Sequence, residues 1–370
     1  MNDPGFPEGD AIVYCEGAFA TTNGKTAHGL VRRSQRYRVL SVVDSTHAGK
    51  DAGDVLDGRA AGIPVVADLE AAYRRAVAEG RRPTHLVVGL APDGGRLSAD
   101  ARADVRSAIG LGLNVDSGLH DFLTEDAELV ALAQEHKVVL RDIRKPLARS
   151  ELHFFEGKIA EVKSLKVALL GTDSAVGKRT TAWLLSDALD AAGHPCVMVG
   201  TGQTAWLQGA RYSIVLDSLI SDFMAGEVEH AVWSAWHEQQ PEVIIIEGQG
   251  SLLNPAYPGG YEILAAARPD IVVLQHAPAR SEYDGFPGYL MHPLERQIAA
   301  LELISDRPVV AITLNHEELD WTEIPEICKR ISAETGLPVF DVLREGADSL
   351  AAVVASYVPT AADDPGEELR

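Results

Sequence analysis

Twice along this chain of 370 residues, short β-branched runs alternate with longer Ala-rich amphipathic stretches. Parallel strands crossed over by helices produce that pattern, because each return to the same edge of a sheet needs a helix-length connection. In the first half the strand candidates are Ile12–Cys15, Tyr37–Asp44, Ile63–Ala67, His85–Leu90 and Val138–Arg144, with helices expected over Asp68–Glu79 and Ala99–Gly110. In the second half they are Lys166–Gly171, Cys196–Thr201, Ser213–Leu216, Val243–Glu247, Ile271–Gln275, Val309–Asn315 and Pro338–Val342. Unbroken apolar runs such as Val243-Ile244-Ile245-Ile246 suit strands covered on both faces, as parallel sheets are.

The fold expected is therefore α/β: a Rossmann-like doubly wound N-terminal domain followed by a P-loop NTPase-like parallel α/β domain. Between the halves lies a less periodic stretch, Lys145–Leu165, with Pro146 and charges where an apolar face would be, so the boundary is placed near Glu151. The domains are then 1–150 and 151–359. The segment 360–370, rich in Asp, Glu and Pro, is expected to be a flexible acidic tail.

A formal charge of −21, from 33 Lys and Arg against 54 Asp and Glu, repels phosphate backbones and anionic lipid. No nucleic-acid or membrane partner is expected, and a small-molecule substrate and a homo-oligomer are. Three distant cysteines, Cys15, Cys196 and Cys328, cannot all pair and do not form a zinc pattern, so they read as core thiols of a reducing compartment. With Asp and Glu where a signal peptide carries Lys or Arg, the expected location is cytoplasmic and no metal site is expected.

The segment Lys166-Val-Ala-Leu-Leu-Gly-Thr-Asp-Ser-Ala-Val-Gly-Lys-Arg-Thr-Thr carries the most chemistry. A strand enters a loop bounded by Gly171 and Gly177, and a helix follows. In such a loop Gly171, Thr172, Asp173, Ser174, Ala175, Val176, Gly177, Lys178, Arg179 and Thr180 hold a phosphate, through inward-turned N–H groups, the helix N-terminus and the Lys178 charge. Two departures stand out. Five residues separate the glycines instead of four, and Arg179 stands where Ser or Thr would ligate magnesium. A guanidinium cannot ligate a cation, but it suits a diphosphate held by charge alone.

A second strand end, Ile244-Ile-Ile-Glu-Gly-Gln-Gly-Ser-Leu-Leu-Asn-Pro, sits where a doubly wound sheet places ligands. Glu247 there is a candidate to hold a metal or a substrate amine, and Gly248 and Gly250 permit close backbone approach to a substrate. Asn315 and His316 close a third strand, where a base-edge contact and a helix cap are equally open readings. The first half lacks a dinucleotide fingerprint, since Gly17, Gly24 and Gly29 have the wrong spacing after its first strand.

Both informative segments resemble dethiobiotin synthetase and its P-loop relatives, which share the longer loop spacing and the Glu-Gly-x-Gly turn. The whole chain from about residue 10 to about residue 345 resembles one family more closely, the two-domain P-loop proteins whose described member is a D-glutamate N-acetyltransferase. The runs that carry the likeness are Lys25-Thr-Ala-His-Gly-Leu-Val-Arg, Val43-Asp-Ser-Thr-His-Ala-Gly-Lys, Val88-Gly-Leu-Ala-Pro-Asp-Gly-Gly, Ser117-Gly-Leu-His-Asp-Phe-Leu, Asp142-Ile-Arg-Lys-Pro, Gly171-Thr-Asp-Ser-Ala-Val-Gly-Lys, Glu247-Gly-Gln-Gly-Ser and His276-Ala-Pro-Ala-Arg.

The resemblance implies an acetyl-CoA-dependent N-acetyltransferase for an acidic amino acid, with the loop on the phosphates of coenzyme A. Acyl transfer to an amine needs a base and cations for carboxylates. Glu247, Asp173 and His276 are the candidate bases. Arg280 and Arg211 lead the candidates for carboxylates, with Arg33 and Arg144 behind them, while Asp93-Gly94-Gly95 and Gly118-Leu119-His120 are candidate site turns in the first half. The alternative is an ATP- and magnesium-dependent kinase or ligase, and a third is a nucleotide sensor without turnover.

Overall fold

The computed structural model describes residues 7–359, so the expected acidic tail, 360–370, lies outside the described residues. The chain forms two compact units. One comprises the described residues through Leu147 together with Gln203–Ala210; the other comprises Ala148–Gly202 and the described residues from Arg211 onward. The transfer of Gln203–Ala210 to the first unit differs from the expected division at Glu151. Leu207 accounts for it, because this side chain is fully buried in the first unit's core beside Leu30 and Tyr37.

The first unit has six strands, β1 (Gly9–Tyr14), β2 (Tyr37–Val43), β3 (Val65–Val66), β4 (His85–Val88), β5 (Asn114–Ser117) and β6 (Leu140–Asp142). They pair in parallel in the order β3-β2-β1-β4-β5-β6, the doubly wound arrangement. Along β1 the period of two is direct: Ala11 and Val13 enter one apolar cluster, Ile12 and Tyr14 the other. Strand β5 was not expected, since Asn-Val-Asp-Ser is poor in strand formers. It exists because tertiary partners supply what propensity does not. The fully buried Asp116 accepts bonds from the Tyr37 hydroxyl and, at 2.6 and 2.8 Å, from the Arg141 guanidinium.

The second unit has seven strands, β7 (Leu165–Gly171), β8 (Cys196–Gly200), β9 (Tyr212–Ser213), β10 (Val243–Glu247), β11 (Ile271–His276), β12 (Val309–Leu314) and β13 (Val339–Phe340). Their order is β13-β12-β11-β7-β10-β8-β9, again parallel. The strands that shrink to half or less of their expected extents, β3, β6, β9 and β13, are the four sheet edges. An edge has one neighbour to define its ladder, and short edges deter pairing with other chains.

The aperiodic stretch after Lys145 is fastened to the helix Ser221–Gln239 by two buried carboxylates. Glu227 accepts from the His153 backbone N–H and from Nδ1–H at 2.7 and 2.9 Å, and Glu229 accepts from the N–H groups of Glu156 and Ile159 at 2.6 and 3.1 Å. Of the three unpaired cysteines only Cys15 is a core thiol; Cys196 and Cys328 are half-buried, a correction to the expectation for all three. Among the described residues no helix is long and apolar enough to cross a membrane.

Candidate active site

The fully buried strand β7 lies between β10 and β11, with Glu247 in register with Leu169 and Gln275 with Gly171. Three strand ends therefore converge beneath the glycine-bounded loop. The Thr172 N–H continues the ladder by donating to the Gln275 carbonyl at 2.9 Å. Ala175 and Gly177 then take φ of 52° and 103°, left-handed conformations that turn successive N–H groups to one side. Helix Lys178–Ala191 starts directly after Gly177, and its first N–H groups have no intrahelical acceptor. An anion-binding concavity follows from this backbone geometry.

Lys178 is folded back over the loop. Its ammonium donates to the Asp173 carbonyl at 2.7 Å and to the Gly250 carbonyl at 2.9 Å, tying the two informative strand ends together. Gly171 makes room for this, because a Cβ there would stand 2.9 Å from both Cδ and Nζ of Lys178. Arg179 lies on the first helical turn, close enough to Glu247 to pull its carboxyl titration down. Thr181, not Thr180, turns a hydroxyl into the sheet, donating to Gln275 Oε1 at 2.6 Å.

Asp173 is a hub. Its side chain is fully buried; Oδ1 accepts from the Ser174 N–H and Asn254 Nδ2, and Oδ2 from Arg280 Nη1 and the Asp284 N–H, all between 2.7 and 2.9 Å. Both oxygens are occupied, so Asp173 organises the loop, a correction to its candidacy as a base. Arg280 is corrected with it. Its guanidinium is committed to Glu317, Asp173 and the Ser174 carbonyl, and holds the loop rather than an external carboxylate.

Glu247 ends β10 with a buried carboxylate that accepts from the Thr201 N–H at 3.2 Å. Burial pushes its carboxyl above the usual range, while Arg179, the Thr201 N–H and Lys178 pull it back. The folded state thus holds this proton more readily than the unfolded chain, and ionisation costs stability as pH rises. Glu247→Gln, which keeps an oxygen for Thr201, is expected to raise the melting temperature at pH 8. The gain should shrink at acid pH, where both states are protonated; a gain independent of pH would contradict this account.

His276 ends β11, its Nδ1 3.0 Å from the Thr172 hydroxyl, and burial pushes its imidazole down to about 4. The unfolded chain takes up this proton near the ordinary histidine value, the folded protein only near 4, so stability falls as pH drops through that window. The loss is on the order of 3 kcal/mol. Denaturant unfolding at pH 7 and pH 4.5 should show His276→Asn to be the less acid-sensitive protein; equal losses in both would refute the assignment.

The remaining candidates are dispersed. Arg211 stands at the β9 edge, paired with Glu238 at 3.0 Å, and β8 and β10 separate that edge strand from β7, so it is removed from the loop as a substrate ligand. Gly248 and Gly250 serve packing: a Cβ would meet the Leu169 carbonyl at 2.6 Å and the Tyr257 carbonyl at 2.0 Å. Asn315 caps its own turn, accepting from the Glu317 N–H at 3.1 Å, and His316 pairs with Asp341 at 2.6 Å. Arg33 and Arg144 belong to the first unit, where Arg144 donates to the Gly118 carbonyl at 2.6 Å. There too the Gly95 and Gly118–His120 turns meet, through the His120 N–H on the Gly95 carbonyl at 2.7 Å.

A pair the sequence left without a role stands at the end of β2 in the first unit. The imidazole of His47 sits 2.6 Å from the fully buried Asp44 carboxylate. Its sequence signals were an Asp closing an apolar strand with His three residues later, and its place in the run Val43-Asp-Ser-Thr-His-Ala-Gly-Lys.

Comparison with known proteins matches residues 45–146 to the Rossmann-like domain, and residues 153–351 to the P-loop domain, of the domain-of-unknown-function family DUF1611. The chain is 36% identical over 273 residues to a D-glutamate N-acetyltransferase of Pseudoalteromonas sp., covering 72% of this chain and 80% of that protein. A D-glutamate N-acetyltransferase of Tritonibacter scottomollicae is 32% identical over 278 residues, covering 72% and 81%. The crystal structure of a DUF1611 family protein from Anabaena variabilis is 30% identical with a TM-score of 0.84, over 94% of this chain and 99% of that one. With both domains matched in order and nearly the whole fold shared, the chain belongs to the DUF1611 family.

Proposed function

We propose that this protein is an N-acetyltransferase that moves the acetyl group of acetyl-CoA to the amine of an acidic amino acid, D-glutamate being the first candidate. The observation that carries the proposal is the loop at residues 171–180. It offers a backbone nest, a lysine and Arg179 to a diphosphate, and it puts a guanidinium where a metal-dependent loop has a hydroxyl ligand. The names of the two N-acetyltransferase relatives support the acyl-transfer chemistry.

Coenzyme A would fit these residues through its diphosphate, and acetyl-CoA bound there would supply an activated thioester. Lys178 and Arg179 neutralise the phosphate charge, and the first-turn N–H groups orient it. Asp173 and Arg280 hold the loop in shape from behind. Glu247 balances the charges of Arg179 and Lys178 at the loop.

The test is thiol release from acetyl-CoA with D-glutamate in excess chelator. Release that depends on both substrates supports the proposal. No release with any acidic amino acid of either hand overturns it, and magnesium-dependent ADP formation in a parallel assay with ATP and no chelator establishes the kinase or ligase.

A further inference from the structure

Each oxygen of Asp173 reaches out of the phosphate loop to one surface turn of the second unit. Oδ1 accepts from Asn254 Nδ2 at 2.8 Å, and Asn254 Oδ1 in turn accepts from the Ala256 and Tyr257 N–H groups, both at 2.9 Å. Oδ2 accepts from the Asp284 N–H at 2.8 Å, and the Asp284 carboxylate accepts from the Ser174 hydroxyl at 3.1 Å. The carboxylate that shapes the loop therefore also sets the turn after β10 and the turn after β11.

The two turns bring an aromatic pair together. The rings of Tyr257 and Phe286 lie edge to face, 5.8 Å between centroids and 67° between planes. Tyr257 is nonetheless 50% exposed, and Tyr289 and Leu290, a few residues past Phe286, are exposed too. The backbone beneath is tied down. The Tyr257 carbonyl accepts from the Ser251 N–H at 3.2 Å, the Phe286 N–H donates to the Tyr283 carbonyl at 3.0 Å, and the Tyr283 N–H donates to the Tyr289 carbonyl at 2.9 Å. Pro258 and Pro287 directly follow the two ring-bearing residues and restrict their backbone. A water-facing aromatic pair held this firmly is preorganised for an apolar ligand, because binding costs little further ordering.

Charge decides which part of a coenzyme these turns suit. Residues 250–261 and 281–291 carry Glu282 and Asp284 and no lysine or arginine, so they repel the 3′-phosphorylated adenosine end of coenzyme A. The pantetheine arm is uncharged, and its methyl and methylene groups gain by leaving water. We propose that the pantetheine arm of coenzyme A lies across Tyr257 and Phe286, beside the phosphate loop. This rests on the acetyl-CoA reading of the loop and deepens it: the aromatic pair gives the site its preference for a coenzyme A thioester over a plain nucleotide.

The test titrates the full chain by calorimetry with coenzyme A and with 3′-phospho-ADP, the same coenzyme without its arm, alongside thiol release. Wild type is expected to bind coenzyme A the more tightly of the two, and equal affinities overturn the arm site. Tyr257→Ser is expected to weaken coenzyme A about tenfold and to leave 3′-phospho-ADP, the check on folding, within about twofold of wild type. Tyr257→Phe, which keeps the ring, should match wild type for both. Wild-type coenzyme A affinity in Tyr257→Ser overturns the arm site. If Tyr257→Ser weakens both ligands, Phe286→Ala is read in its place, and equal weakening or none there overturns the arm site too. With thiol release intact, each of these results leaves the acetyltransferase proposal standing. If wild type releases no thiol, that proposal falls, and the titrations alone decide the arm site: coenzyme A bound more weakly by Tyr257→Ser supports it, and absence of coenzyme A binding overturns it.

Discussion

Asp173→Ala is expected to destabilise the second unit by roughly 3–5 kcal/mol, the range for removing one partner of a buried charge pair. Four donors lose their acceptor at once, one of them the Arg280 guanidinium, itself only 13% exposed. Glu317 remains on Arg280, which sets the loss below that of an isolated buried cation. The loop should lose its shape with the hub, so coenzyme A affinity should fall in parallel with stability. Asp173→Asn keeps one acceptor oxygen and should lie between wild type and alanine. Urea unfolding measures this, and a loss below about 1 kcal/mol for alanine would mean that the four bonds do not organise the loop.

Lys178→Met is expected to weaken coenzyme A by about 10- to 150-fold, from the 1.5–3 kcal/mol typical of a hydrogen bond to a charged group. Methionine keeps most of the aliphatic stem that crosses Gly171, so the substitution removes charge with little change in packing. The same change leaves the Asp173 and Gly250 carbonyls without the ammonium, adding a stability cost of about 1–3 kcal/mol. Calorimetric titration with coenzyme A separates the two effects, since affinity is read on folded protein. Unchanged affinity would mean that the diphosphate is held elsewhere.

The path from β7 to the phosphate loop was legible in the sequence because each part is a local signal. Apolar run, two glycines, lysine and helix follow one another within about four helical turns of chain, and local signals survive any tertiary arrangement. Glu247 was legible for the same reason, as a carboxylate closing an apolar strand. Asp173 and Arg280 were located but given the wrong work: 107 positions separate them, and only the folded chain shows that they spend their charges on each other. Arg211 failed differently, since a strand-end arginine at an edge and one beside β7 read alike until the strand order is known.

What sequence alone determined here is the alternation of strands and helices, the two-domain plan, the glycine-bounded loop and the family likeness, all consequences of periodicity and short-range spacing. Tertiary structure decided the rest: that Asn114–Ser117 is a strand because Tyr37 and Arg141 hold Asp116, that Leu207 carries its helix into the first unit, and that a buried Asp44 orients His47. The physical reason is that burial and pairing set the protonation, orientation and availability of a charged side chain, and these depend on neighbours brought together from distant parts of the chain.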